Sequence, residues 1–267
     1  MHVHALDVHC PRASFVHRLD PRVKLALTGL FIVSAALTPD GAWPAFVLLA
    51  TLALSVTVVS RLGIGFVQRR AAVALPFALA AVTVSFTTPG RPLFMLRILG
   101  ARLALTEAGL ARFASILLRS WLSVQLAVVL TASTPFPDLL RAMRGIGVPQ
   151  VLVAIAGFAY RYIFVIGDEA RRMMRARRAR SGVGDAPEGG RGGGVLWRAR
   201  VTGGMAGSLF VRSLERGERI VDAMVARGYD GEIRSLSSPA LRPRDWLAAL
   251  PFTLALAAIQ VLARIPW

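Results

Sequence analysis

Six apolar runs constrain this chain more than any other feature. They are roughly Leu25 to Leu37, Trp43 to Val59, Ala71 to Phe86, Leu110 to Thr131, Val148 to Ile166 and Trp246 to Leu262. A helix crossing a hydrocarbon core of roughly 30 Å needs about 20 predominantly apolar residues, so the shorter runs must borrow flanking residues or tilt. Of the 267 residues, 55% are hydrophobic and only 18% charged, below the ~25% charged of a soluble domain. The runs predict an all-α integral membrane protein with about five transmembrane helices.

Charge supplies the orientation. Lys and Arg number 32 against 15 Asp and Glu, a formal net charge of +17, and Lys24 is the one lysine. A soluble nucleic-acid-binding protein shares such a charge but not these spans, so no nucleic-acid partner is expected. The N-terminal arm holds Arg12, Arg18, Arg22 and Lys24, and the connection after the second run holds Arg61, Arg69 and Arg70, while Asp40 alone is charged between them. By the positive-inside bias the N-terminus is cytoplasmic. The first 20 residues contain no apolar core, so a cleavable signal peptide is not expected, and a single cysteine, Cys10, excludes an internal disulfide.

If the fifth run crossed, residues 168–244 with their 16 arginines and 9 acids would lie outside, the worst violation of the bias on offer. Val148 to Ile166 is therefore expected to stay on the cytoplasmic side and to continue into the basic stretch. Arg161 within it agrees, since an arginine at mid-bilayer costs at least ~2.5 kcal/mol. Five spans follow, in three regions: N-terminal membrane helices over 1–133, a cytoplasmic region over 134–244 and a last membrane helix over 245–267. The weak point is the connection before the fourth run, where Arg91, Arg97 and Arg102 fall outside.

Within the basic region, Asp168 to Arg180 has no Gly or Pro and reads as a helix with acids in its first turn and arginines toward its end, which suits the helix dipole. Pro187 to Gly194 reads as a flexible break. A second helix follows, with Phe210, Leu214, Gly217, Val221 and Met224 as a narrow apolar seam. It should end at Arg227, with Gly228 as the left-handed cap. Two readings stay open: amphipathic helices lying on anionic lipid, or helices packed on protein, which the mixed acids of the second helix favour.

Several constellations are missing from the sequence. No acid occurs between Gly41 and Thr106, and no histidine after His17, so neither an ion-relaying carboxylate nor a metal-dependent intramembrane enzyme is expected. No GxxxxGK[ST] loop is present. The arm residues His2, His4, His9 and Cys10 have metal-ligating chemistry, but a solvated arm is the expectation. No catalytic, cofactor or metal residues are assigned.

Four strings, in order, carry a resemblance: His17-Arg18-Leu19-Asp20-Pro21-Arg22-Val23-Lys24-Leu25; Thr134-Pro135-Phe136-Pro137-Asp138-Leu139-Leu140 with Gly147-Val148-Pro149; Tyr160-Arg161-Tyr162-Ile163-Phe164-Val165 with Asp168-Glu169-Ala170; and Ala223 through Gly231. Over nearly its whole length the chain resembles the transmembrane T component of energy-coupling-factor transporters, and within them the cobalt-type CbiQ family. The resemblance implies a non-catalytic scaffold in a bacterial cell membrane, joining a substrate-capturing membrane subunit to two cytoplasmic ATPase subunits, with cobalt as cargo and nickel next.

It also implies two coupling helices that end in Ala-Arg-Gly-like motifs whose arginines dock on the ATPases. These map to Ala226-Arg227-Gly228 and to Ala179-Arg180-Ser181, where serine replaces glycine. The alternative function is a membrane scaffold whose basic segment binds lipid and has no transport role.

Overall fold

The structure, a computed structural model, describes residues 10, 12–98, 101–180, 194–230 and 243–265. Two compact units divide the chain, Met1–Gly147 with Ser238–Trp267, and Val148–Ser237.

In the first unit, a short helix α1 (Phe15–Arg18) leads to Asp20, whose carboxylate accepts the Arg22 N–H at 2.8 Å and so caps α2 (Pro21–Leu37), with Pro21 in the first turn. Such an acidic cap followed by proline is a strong start signal. The apolar run Trp43–Val59 is helix α3, with Pro44 in its first turn. The third run is not one helix. It divides into α4 (Ile64–Ala71), a 3-10 turn over Ala72–Ala74 and α5 (Leu75–Thr87). Pro76 lies in the first turn of α5, where its missing N–H costs nothing, so a new helix starts there.

The connection with Arg91, Arg97 and Arg102 forms an antiparallel hairpin, β1 (Pro92–Ile98) and β2 (Ala101–Thr106), in which Arg97 is registered with Arg102. It is the one addition to the all-helical expectation among the described residues. Thr106 then caps α6 (Glu107–Ser133), its hydroxyl accepting the Gly109 N–H at 3.0 Å. A short amphipathic helix α7 (Phe136–Gly145) packs on α2.

The second unit holds α8 (Gln150–Arg180) and α9 (Val195–Ala226), and the chain closes with α10 (Pro243–Leu262) in the first unit. Residues 181–193, which include Ser181 and most of the expected flexible break, lie outside the described residues, as do His2, His4 and His9.

α6 is the spine of the first unit, packing against α2, α3, α4 and α5, while α10 lies on α2 and α3. Phe31, Phe46, Leu49, Leu122, Leu126 and Leu256 are buried together, with Ala35 of α2, Ala45 and Ala53 of α3 and Ala263 just after α10 filling the close approaches. Small residues do in lipid what large ones do in water: they let backbones approach where no hydrophobic force drives helices together. Gly109 marks the closest approach, since a Cβ there would stand 2.5 Å from the Ser85 carbonyl oxygen of α5.

Polar pairs supplement this packing. Gln260 donates to the Ser34 carbonyl at 2.8 Å and to the Ser34 hydroxyl at 2.7 Å, and Gln125 donates to the Thr57 hydroxyl at 3.3 Å.

Arg112 and Arg119, which interrupt the fourth run, both reach Asp40 in the α2–α3 connection, Arg119 at 2.6 Å and Arg112 at 3.7 Å. Arg119 also donates to the Thr38 carbonyl at 2.5 Å. The sole charge of that connection is thus a counter-ion.

Among the described residues three helices are long and apolar enough to cross a membrane, Glu107–Ser133, Gln150–Arg180 and Asp245–Leu262, with Trp43–Val59 a shorter apolar helix. The fold is that of a helical membrane protein.

Candidate functional site

The fifth apolar run and the basic stretch are one continuous helix, α8, as expected of a run that continues without a break. One detail differs. Asp168 and Glu169 stand in mid-helix, not in a first turn, and their partners are arginines one turn on, Asp168 with Arg171 at 2.9 Å and Glu169 with Arg172 at 2.5 Å. Spacing of three along a helix places such charges side by side.

Glu169 reaches further, meeting Arg212 of α9 at 3.4 Å, and its side chain is only 18% exposed. The hydrogen bond from Arg172 holds its carboxyl below the usual carboxylate range, with the charges of Arg172, Arg216 and Arg212 adding to the effect. Arg177 donates to the Thr202 hydroxyl at 3.4 Å. Going from Glu169 to Arg177 along α8 therefore goes from Arg212 back to Thr202 along α9, so the two helices run in opposite senses.

The face of α9 that is half-buried is Val201, Met205, Leu209, Ser213, Arg216, Ile220 and Met224. The seam expected from the sequence is displaced from it by about one residue. Of that seam only Met224 belongs to the half-buried face; Phe210 is 68% exposed, Leu214 56% and Val221 59%. These side chains instead line an open apolar groove of about 700 Å³, together with Phe158, Tyr162 and Ile166 of α8. The positions Phe158, Tyr162 and Ile166 recur every four residues and so form one stripe.

The end of α9 is as the sequence predicts. Ala226 is its last helical residue, Arg227 is the cap, and Gly228 has φ +79°. The Tyr229 N–H donates to the Met224 carbonyl at 3.0 Å and the Gly228 N–H to the Val225 carbonyl at 2.9 Å, the paired bonds of a Schellman cap. Ala226, Arg227 and Gly228 are exposed. Arg180 is the last residue of α8, exposed together with Ala179. Because the helices are antiparallel, Arg180 and Arg227 stand toward opposite ends of α9: from Thr202 to Arg227 the helix runs about 37 Å at 1.5 Å per residue.

In the first unit the structure brings the first recognisable string up to the residue that precedes the second. Lys24, buried, donates from Nζ to the Ser133 carbonyl at 3.3 Å, across 109 positions of sequence. An ammonium at the carbonyl end of α6 is favoured by the helix dipole. Asp138, just beyond, lies in the first turn of α7 and pairs with Arg141. Composition singled out Lys24 as the one lysine, but nothing in the sequence linked it to position 133.

The structure thus defines a helical membrane protein with a two-helix, arginine-rich unit ending in a capped Ala-Arg-Gly. The family of cobalt transport proteins, CbiQ, matches residues 12–238, and the chain belongs to that family. It is 29% identical over 224 residues to the cobalt transport protein CbiQ of Rhodobacter capsulatus, covering 84% of each chain. It is 30% identical over 256 residues to the energy-coupling factor transporter transmembrane protein EcfT of Lacticaseibacillus paracasei, covering 91% of this chain and 92% of that one. An uncharacterized protein of Methanocaldococcus jannaschii is 25% identical over 254 residues, 94% of this chain and 83% of its own. The protein is a membrane transport component.

Proposed function

We propose that the protein is the non-catalytic coupling subunit of an ATP-driven energy-coupling-factor importer for a transition-metal ion, with cobalt as cargo and nickel as the next to test. Arg180 and Arg227 dock on two cytoplasmic ATPase subunits, one each, and the apolar groove of α8 and α9 faces a substrate-capturing membrane subunit. The N-terminus is cytoplasmic, in a bacterial cell membrane, and α8 does not cross it. The observation that carries this reading is the placing of two exposed arginines at helix ends toward opposite ends of an antiparallel pair, where two separate sockets can reach them.

A guanidinium is a rigid fork of donors that grips a carboxylate at two points, which suits a joint that transmits movement. Ala179 and Ala226 keep the approach to each arginine clear of bulk, and Gly228 turns the chain away behind Arg227. Ser181 takes the place of the corresponding glycine in the first motif.

Co-purification tests it. The full chain is expressed with its ATPases, and their retention on the membrane and ATP-driven cobalt uptake are measured. Single Arg180→Ala or Arg227→Ala should lower uptake, and the double change should release the ATPases, since truncating one partner of a buried charged contact costs roughly 2–5 kcal/mol. Arg227→Lys keeps the charge but loses the two-point grip, so uptake should fall. Full uptake in Arg227→Lys with ATPases retained in the double alanine variant would instead favour the second reading, a lipid-binding scaffold, which the arginine content of α8 supports.

A further inference from the structure

At the end of the first unit where α2 begins and α3 and α6 end, two cavities meet. One is an apolar crevice of about 180 Å³ between α1, α2, α3, α6 and α10, lined among others by Phe15, Leu27, Val56, Val59, Leu126 and Phe252. The other is a shallow basin of about 420 Å³ lined by Ala13, Ser14, Phe15, Arg18, Val58, Val59 and Arg61. Phe15 and Val59 line both, so the crevice and the basin lie side by side.

Their charge is of one sign. Arg18 and Arg61 are exposed on the basin, and Arg12 joins them by donating to the Arg61 carbonyl at 2.5 Å. No acidic side chain is among the described residues lining either cavity. Lys24 lines the crevice, its ammonium on the Ser133 carbonyl. Arg61 has φ +55°, a left-handed backbone that costs a non-glycine residue of ordinary chirality energy. The residue that follows the last turn of α3 is thus an arginine where glycine fits most easily.

We propose that this pair of cavities binds one anionic phospholipid, its phosphate on Arg18 and Arg61 and part of one acyl chain in the crevice. The juxtaposition of an apolar slot and a cationic rim matches the two halves of such a lipid. A dry cavity of about 150 Å³ takes a benzene-sized hydrocarbon, so the crevice holds about six carbons of the chain and leaves the rest in the bilayer. Guanidinium groups grip phosphate oxygens at two points, which a zwitterionic headgroup, carrying its own cation, satisfies in part by itself. Arg12 closes the rim by fixing the Arg61 carbonyl, and Lys24 offers a donor to an ester carbonyl.

The test uses the full chain purified in mild detergent, mixed with equal phosphatidylglycerol and phosphatidylcholine, and read by native mass spectrometry as lipids retained per chain. One phosphatidylglycerol should remain bound in preference to phosphatidylcholine. Arg18→Gln should weaken retention about fivefold, and Arg18→Gln with Arg61→Asn by about fivefold again, from the loss of attraction per cation near the lipid surface. Asparagine tolerates the left-handed backbone at position 61, so that variant removes charge without forcing a new turn.

Ala248→Phe fills the crevice and leaves the rim intact, and it should abolish retention as well. Equal retention of the two lipids, unchanged phosphatidylglycerol in Arg18→Gln, or full retention in Ala248→Phe would each overturn the proposal. Displacement of the lipid by millimolar inorganic phosphate would do so too, by showing a phosphate site without a chain slot.

Discussion

Glu169 joins the two helices of the second unit, because one carboxylate serves Arg172 on its own helix and Arg212 on the other. Its carboxyl is lowered from the ordinary value, so the contact is at full strength above about pH 4.3, the ordinary glutamate value, and is lost as pH falls through the lowered one. Spin labels at Ala176 and Ser208, in a Cys10→Ser background, should give one distance distribution from pH 8 down to about pH 4.3 and a broader one once the pH falls through the lowered value. Glu169→Gln should be broad at every pH. A distribution of unchanged width in that variant would show that packing alone fixes the pair. Single residues were legible in the sequence where their chemistry is local. Gly228 after Arg227 announced a left-handed cap, and Asp20 before Pro21, a helix start not drawn from the sequence, is a signal of the same local kind. Arg112, Arg119 and Lys24 were not legible, because their partners lie 72, 79 and 109 positions away.

Helices are held apart or together by what their glycines permit. At Gly228 a Cβ would meet nothing within 4 Å, so Gly228→Ala pays only in backbone conformation, about 1–2 kcal/mol, and should speed amide exchange at Tyr229 several-fold or more by fraying the cap. Gly228→Asn should be milder. Gly109→Ala is the opposite case, since its backbone is helical but its Cβ would press on Ser85 and Thr106 of the adjoining elements. Overpacking of this kind costs about 1–3 kcal/mol and should lower the thermal midpoint in detergent, whereas Gly29→Ala, with nothing within 4 Å, should leave it unchanged or raise it. Element by element, the runs Trp43 to Val59 and Trp246 to Leu262 were plain in the sequence because length and apolarity suffice. The face of α9 was misplaced by about a residue because its apolar side chains are not confined to the buried stripe: Phe210, Leu214 and Val221 stay exposed. The hairpin was not legible because Pro92–Ile98 and Ala101–Thr106 are short apolar runs, and short apolar runs suit a helix as well as a strand.

For the molecule as a whole, the charge distribution predicts its placement in the bilayer. In a Cys10→Ser background, a cysteine at Pro39 should react with an impermeant thiol reagent in intact cells, while one at Ser208 should react only after the membrane is opened. Labelling of Ser208 in intact cells would put α8 across the membrane and overturn the cytoplasmic placing of α9. Family membership and the number of apolar runs were readable at this scale, while the division into units at Gly147 and Val148 was not, because it depends on α7 packing back on α2. The Asp40 counter-ion bears on how the chain is made. Ribosomes add about 5–20 residues per second, so Asp40 emerges roughly 4–16 s before Arg119, 79 positions later. The hairpin of α2 and α3 is therefore already available when α6 leaves the translocation channel, and a helix with two guanidiniums finds its carboxylate waiting. Vectorial synthesis thereby spares α6 an interval in lipid with its arginines unmatched.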